Sequence, residues 1–69
     1  MNKKEAIIEV SSADISKFGW VDEIMDNLDS MYAQGYMNCF ISEIGNTLLS
    51  SSEDYREAII YALDYDIWK

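Results

Sequence analysis

Proline is absent from the 69 residues, and apolar side chains recur at the three- and four-residue spacing of an α-helix along almost the whole chain. Only Gly19, Gly35 and Gly45 punctuate that pattern. Between 21 and 34, Val21, Ile24, Met25, Leu28, Met31 and Tyr32 form one apolar stripe, with Asp22, Asp26 and Asp29 on the other side. Gly35 is placed as the left-handed residue that ends this helix. The pattern restarts over about 36–49, where Met37, Phe40, Ile41, Ile44 and Leu48 line up and Asn38, Ser42, Glu43 and Asn46 face away. Gly45 inside that segment costs about 1 kcal/mol relative to alanine.

A further helix is expected over about 52–67. Ser51 or Ser52 caps it, and Glu53 and Asp54 sit in its first turn against the positive end of the helix dipole. Glu57 is close enough to Arg56 and Glu53 for local pairing, though an exposed pair contributes little. At the other end, Asn2-Lys3-Lys4-Glu5 reads as a capping box opening a helix to about Lys17, ended near Gly19. The β-branched Ile7, Ile8 and Val10 and the pair Ser11-Ser12 oppose an unbroken helix. The alternative is a short helix or strand followed by a second helix from Ser12. The expected fold is all-α: one domain over 1–69, with three or four helices.

A chain of this length buries roughly 60% of the surface its unfolded form exposes, which makes a lone copy marginal. One cysteine allows no internal disulfide, and histidine is absent, so the usual zinc sites are excluded. Good helix packing or a second copy is left to supply stability. A lone cysteine and the lack of a signal-like or membrane-spanning apolar run lead to the expectation of a soluble, cytoplasmic protein.

No arrangement of residues suggests catalysis. Nucleophile–base pairs need a histidine or an activated lysine, and the five bases lie toward the chain ends. Cys39 has no neighbouring positive residue to activate it and reads as a small buried or half-buried hydrophobe. Asp22 and Asp26, or Asp26 and Asp29, share a helix face and could hold a cation or serve as acid and base, but a solvated polar face explains them more simply. Asp26-Asn27-Leu28-Asp29 lacks the glycine and the terminal glutamate of a calcium loop, and Asp64-Tyr65-Asp66 is too short to hold a metal. There is no phosphate-binding loop. The expectation is a non-enzyme without cofactor or metal.

The last helix is apolar on two sides. Tyr55, Ile59, Ala62 and Leu63 make one face, while Ile60, Tyr61, Tyr65, Ile67 and Trp68 carry apolar and aromatic area around much of the rest. A helix apolar on two sides is packed on two sides. The second set therefore reads as a protein-binding or dimer interface, with Tyr61, Tyr65 and Trp68 as a ridge at helical spacing; the alternative is a tight four-helix core that uses all of them.

Thirteen acids against five bases give a net charge of −8, and no Lys or Arg occurs between Phe18 and Tyr55. Nucleic acid and anionic membrane repel such a chain, and a basic protein partner attracts it. Imitation of DNA is the rival reading. Surface scaling gives roughly 4,500 Å², hence roughly 550 Å² per net charge. A duplex carries one charge per roughly 110 Å², about five times denser. Only a local face around Asp22, Asp26 and Asp29 could approach that.

In size, charge, aromatic content and lack of catalytic residues, the chain resembles the small acidic proteins with which bacteriophages block restriction, BREX and CRISPR defences. The resemblance is one of composition and carries no residue roles. It implies stoichiometric inhibition of a host protein in the host cytoplasm, often by a homodimer. An antitoxin-like or structural adaptor subunit is the remaining alternative.

Overall fold

The computed structural model describes residues 1–45 and 51–68. These fold into four helices and no strand: α1 (Lys3–Ser12), α2 (Trp20–Met25), α3 (Met31–Gly45) and α4 (Ser52–Leu63). α4 packs on both α1 and α3, and the short α2 packs on the same two helices. The radius of gyration is 11.1 Å, against roughly 11 Å for a compact domain of this length.

α1 opens as expected. Asn2 accepts from the Glu5 amide at 2.9 Å, and the Glu5 carboxylate accepts from the Asn2 amide at 3.0 Å. The helix stops at Ser12 instead of running to Lys17, because the two serines turn against it. The Ser11 and Ser12 hydroxyls donate to the carbonyls of Ile7 and Ile8, each at 2.8 Å, and Ala13 is already extended. The end is then closed from far along the chain. Arg56 of α4 donates to the carbonyls of Ser11 at 2.8 Å and Ala13 at 2.6 Å. Its guanidinium thus stands at the negative end of the α1 dipole, and the expected local pairing with Glu57 gives way to this contact. The second helix of the alternative reading begins at Trp20, not Ser12.

The segment 21–34 is two helices. α2 ends at Met25, and Asn27 donates from its side chain back to the Glu23 carbonyl at 2.8 Å. Ser30 then caps α3 by accepting from the Ala33 amide at 3.1 Å. Gln34 donates to the carbonyls of Asp26 at 3.3 Å and Leu28 at 3.0 Å, satisfying groups that the break leaves open. Gly35 consequently lies inside α3 and ends nothing. The new helix axis resets the phase of the stripe: Val21, Ile24, Met25 and Leu28 are buried, but Met31 is 85% and Tyr32 55% exposed. The buried line of α3 is Ala33 and Met37, continued by half-buried Phe40, Ile41 and Ile44. Leu48 and Asn46 lie outside the described residues.

α4 is capped by Ser51, whose hydroxyl accepts from the Asp54 amide at 3.2 Å. It ends at Leu63, short of the expected 67. Ile59, Ala62 and Leu63 are buried and meet Ala6 and Val10 of α1 and Met25 and Met37 in one core with no buried polar residue among those described. No helix among the described residues is long and apolar enough to cross a membrane.

Candidate functional site

The turn after α4 divides the residues expected to form an interface. The amides of Tyr65 and Ile67 bond to the carbonyls of Ala62 at 3.2 Å and Tyr65 at 2.9 Å, which reverses the chain. Ile67 enters the core at 3% exposure. It is therefore a core residue and leaves the exposed set, because the helical spacing that would have kept it outside ends four residues earlier. Trp68 is half-buried, and its indole N–H donates to the Leu63 carbonyl at 2.9 Å, closing one of the last open carbonyls of the helix. Ile60 is half-buried between α1 and α4. The expected ridge of three aromatics is therefore a pair, Tyr61 at 65% and Tyr65 at 46% exposure.

That pair is built as a unit. The rings lie one turn apart with centroids 5.1 Å apart and planes inclined at 57°. The Tyr65 O–H donates to the Tyr61 hydroxyl oxygen at 2.8 Å. Donating that bond is the first cause holding the Tyr65 phenol above its ordinary pKa, followed by desolvation and by Tyr61 and Tyr36. Two mutually supported aromatic rings lose little conformational freedom on binding, which suits them to anchor a partner. Tyr61 shares a groove of about 400 Å³ with Ile7, Glu57, Ile60 and Asp64. On α3, Tyr36, Cys39, Phe40, Glu43 and Ile44 line a second groove of about 370 Å³. Cys39 is exposed in that groove rather than buried or half-buried as the sequence suggested, because the α3 core line runs through Ala33 and Met37.

The acidic residues do not form one helical face. Asp22 is on α2 and Asp26 one turn later at its end, both exposed. Asp29 lies within the break between α2 and α3 and is paired at 2.7 Å with the amino group of Met1, which also donates to the Asn27 carbonyl. Three acids on one expected stripe thus become two neighbours and one partly neutralised outlier. Asp22 has a second neighbour, Tyr55, whose phenol is pushed above its ordinary pKa by burial and by that carboxylate. Among the described residues no group of three or more potential metal ligands clusters.

The loop between α1 and α2 carries residues that the periodicity did not single out. Phe18 is 100% exposed. Beside it a groove of about 500 Å³ is lined by Ile15, Trp20, Val21, Ile41 and Tyr55, with Lys17 and Asp22 at its polar edge. Trp20 and Tyr55 meet edge to face, with centroids 6.1 Å apart and planes at 80°. The only available signal was local: an apolar residue beside a glycine, Phe18-Gly19, where the stripe had lapsed. No family model matches the chain, and neither a curated protein nor a solved structure shows significant similarity to it.

Proposed function

We propose that the chain is a non-enzymatic binding protein that inhibits or regulates a larger protein by covering one of its surfaces, as phage anti-defence proteins do. The partner surface is basic, and the complex forms in the cytoplasm. The observation that carries the reading is the Tyr61–Tyr65 pair, exposed and held by its own hydrogen bond on a chain of net charge −8. The tyrosines anchor, and the acids, including Asp22 and Asp26, steer. Separation of Asp29 from those two weakens the rival reading of a DNA mimic, which needs a continuous row of charge.

The test begins with capture from host lysate and identification of the partner by mass spectrometry, followed by calorimetry and association kinetics. Tyr61→Ala with Tyr65→Ala weakens binding by about 2 kcal/mol or more, roughly thirtyfold. Asp22→Lys, Asp26→Lys and Asp29→Lys together mainly slow association and alter its salt dependence. Trp68 is a poor probe, because its indole bonds to its own chain. Abolished binding in the acidic variant, with normal binding in the tyrosine variant and competition by duplex DNA, overturns the proposal in favour of mimicry. A chain that is insoluble without a co-expressed partner points instead to an adaptor subunit.

A further inference from the structure

Along α4 and its last cap, Glu57, Ile60, Tyr61 and Asp64 follow at three-, four- and seven-residue spacing, so they share one face of the helix. Ile7 of α1 completes the lining of the groove they form, about 400 Å³ in volume. Its middle is apolar: Ile7 and Ile60 are half-buried, and the Tyr61 ring is held by the bond from Tyr65. A carboxylate stands at each end, the two roughly 10 Å apart along the helix axis.

Those carboxylates are not equivalent. Asp64 is answered from within the chain by Lys3 at 3.5 Å. Glu57 is exposed and takes part in no ion pair among the described residues. Its neighbour Arg56 is committed to the carbonyls of Ser11 and Ala13. One turn back stands Glu53, also exposed, and like charges at this spacing repel each other. Elsewhere the chain supplies its own cations, the Met1 amino group to Asp29 and Lys17 to Glu23.

We infer that this groove seats an arginine side chain of the basic partner, with its guanidinium at Glu57 and its methylene stem across Ile60 and Ile7. The seat rests on the reading of the chain as a partner-binding protein, and it gives one anchor of that partner a definite chemistry. An arginine stem covers apolar surface while its charged head stays wet. The planar guanidinium offers a carboxylate two parallel N–H donors and stacks on aromatic rings, and Tyr61 stands one turn from Glu57. A lysine ammonium is a hydrated point charge and gains less from either group. An acidic side chain is repelled from both ends, and a purely apolar one leaves Glu57 unanswered. Orientation follows from Lys3, which disfavours a second cation at the Asp64 end. Space is sufficient, since an enclosed cavity of roughly 150 Å³ already holds a benzene ring. The seat is one contact within a larger interface: an exposed ion pair and an exposed cation–π contact together supply roughly tenfold in affinity.

Titration of the labelled protein with N-acetylarginine methylamide, and with its lysine and citrulline counterparts, tests this through amide and tyrosine-ring chemical shifts. The arginine probe moves 7, 57, 60, 61 and 64 saturably. The lysine probe binds about threefold or more weakly, and the neutral citrulline probe roughly tenfold more weakly. Glu57→Gln removes most of the preference for arginine over citrulline, and because Glu57 is exposed the fold survives, as circular dichroism checks. Asp64→Asn leaves that preference in place. The seat is overturned by arginine binding no better than lysine or citrulline, by an unchanged preference in Glu57→Gln, or by shifts centred on the α3 groove at 36–44. With the captured partner, Glu57→Gln weakens binding by about threefold or more. A partner that depends on Tyr61 and Tyr65 but ignores Glu57→Gln overturns the seat and leaves the partner-binding reading standing. A partner that ignores loss of both tyrosines overturns that reading, and the seat with it.

Discussion

Gly35 lies in the second turn of α3, exposed, without positive φ, and with open space where an alanine Cβ would stand. Alanine there adds no clash and removes backbone freedom from the unfolded chain, so Gly35→Ala stabilises the protein by about 0.7–1 kcal/mol. For a domain of this size that raises the melting temperature by roughly 3–8 °C. Gly19 has equally open space but a φ of +79°, so the same substitution is strained by backbone conformation alone. Gly19→Ala costs about 1–2 kcal/mol. The two variants thus differ in sign although neither alanine touches a neighbour. Thermal and urea unfolding followed by circular dichroism, with the urea slope unchanged, measures both. If Gly35 were a left-handed helix-ending residue, as its position in the sequence suggested, its alanine variant would also be destabilised. Loss of stability at both sites refutes the continuous α3.

Arg56→Ala removes two charge-assisted bonds from the end of α1 and lowers stability by about 2–3 kcal/mol. Arg56→Lys keeps the charge but cannot span both carbonyls, so urea unfolding places it between wild type and alanine. The neutral phenols of Tyr55 and Tyr65 are favoured by folding. Their contribution is complete below pH ~10 and is lost as pH rises through their raised folded values. Ultraviolet titration therefore finds Tyr55 and Tyr65 ionising late in the native protein, and Tyr61→Phe brings Tyr65 down, because the hydroxyl contact is the main cause of its shift.

Local signals were legible where the chemistry itself is local. The Asn2–Glu5 box, the Ser51 cap and the core face of α4 follow from spacings of three and four residues. The break at Asp26–Ser30 was not legible from periodicity, because Leu28 is buried in the turn and keeps the stripe in apparent phase across it. A serine followed by three residues of helix was the available sign. Ile67 misled for a related reason: its spacing continues α4, but the chain has already turned to bring it inward. Arg56 could not be read at all, since its acceptors lie more than forty residues away and nothing in the neighbourhood of either marks the other. The exposed set of the candidate site shrank accordingly to Tyr61 and Tyr65, while Phe18 entered from a stretch where the pattern had lapsed.

The grip of Arg56 on α1 has a consequence for the order in which the molecule can assemble. α1 is made first and α4 last, yet α1 is finished only by a side chain of α4, and Lys3 lies 3.5 Å from Asp64 just beyond it. The chain therefore closes on itself like a clasp. Joining residues this far apart costs roughly 3 kcal/mol in loop-closure entropy before any contact is returned. While the ribosome is still adding α4, the nascent α1 has neither its terminal seal nor the apolar floor provided by Ile59 and Leu63. Folding is thus completed only once Ile67 is available to be drawn into the core beneath the last turn.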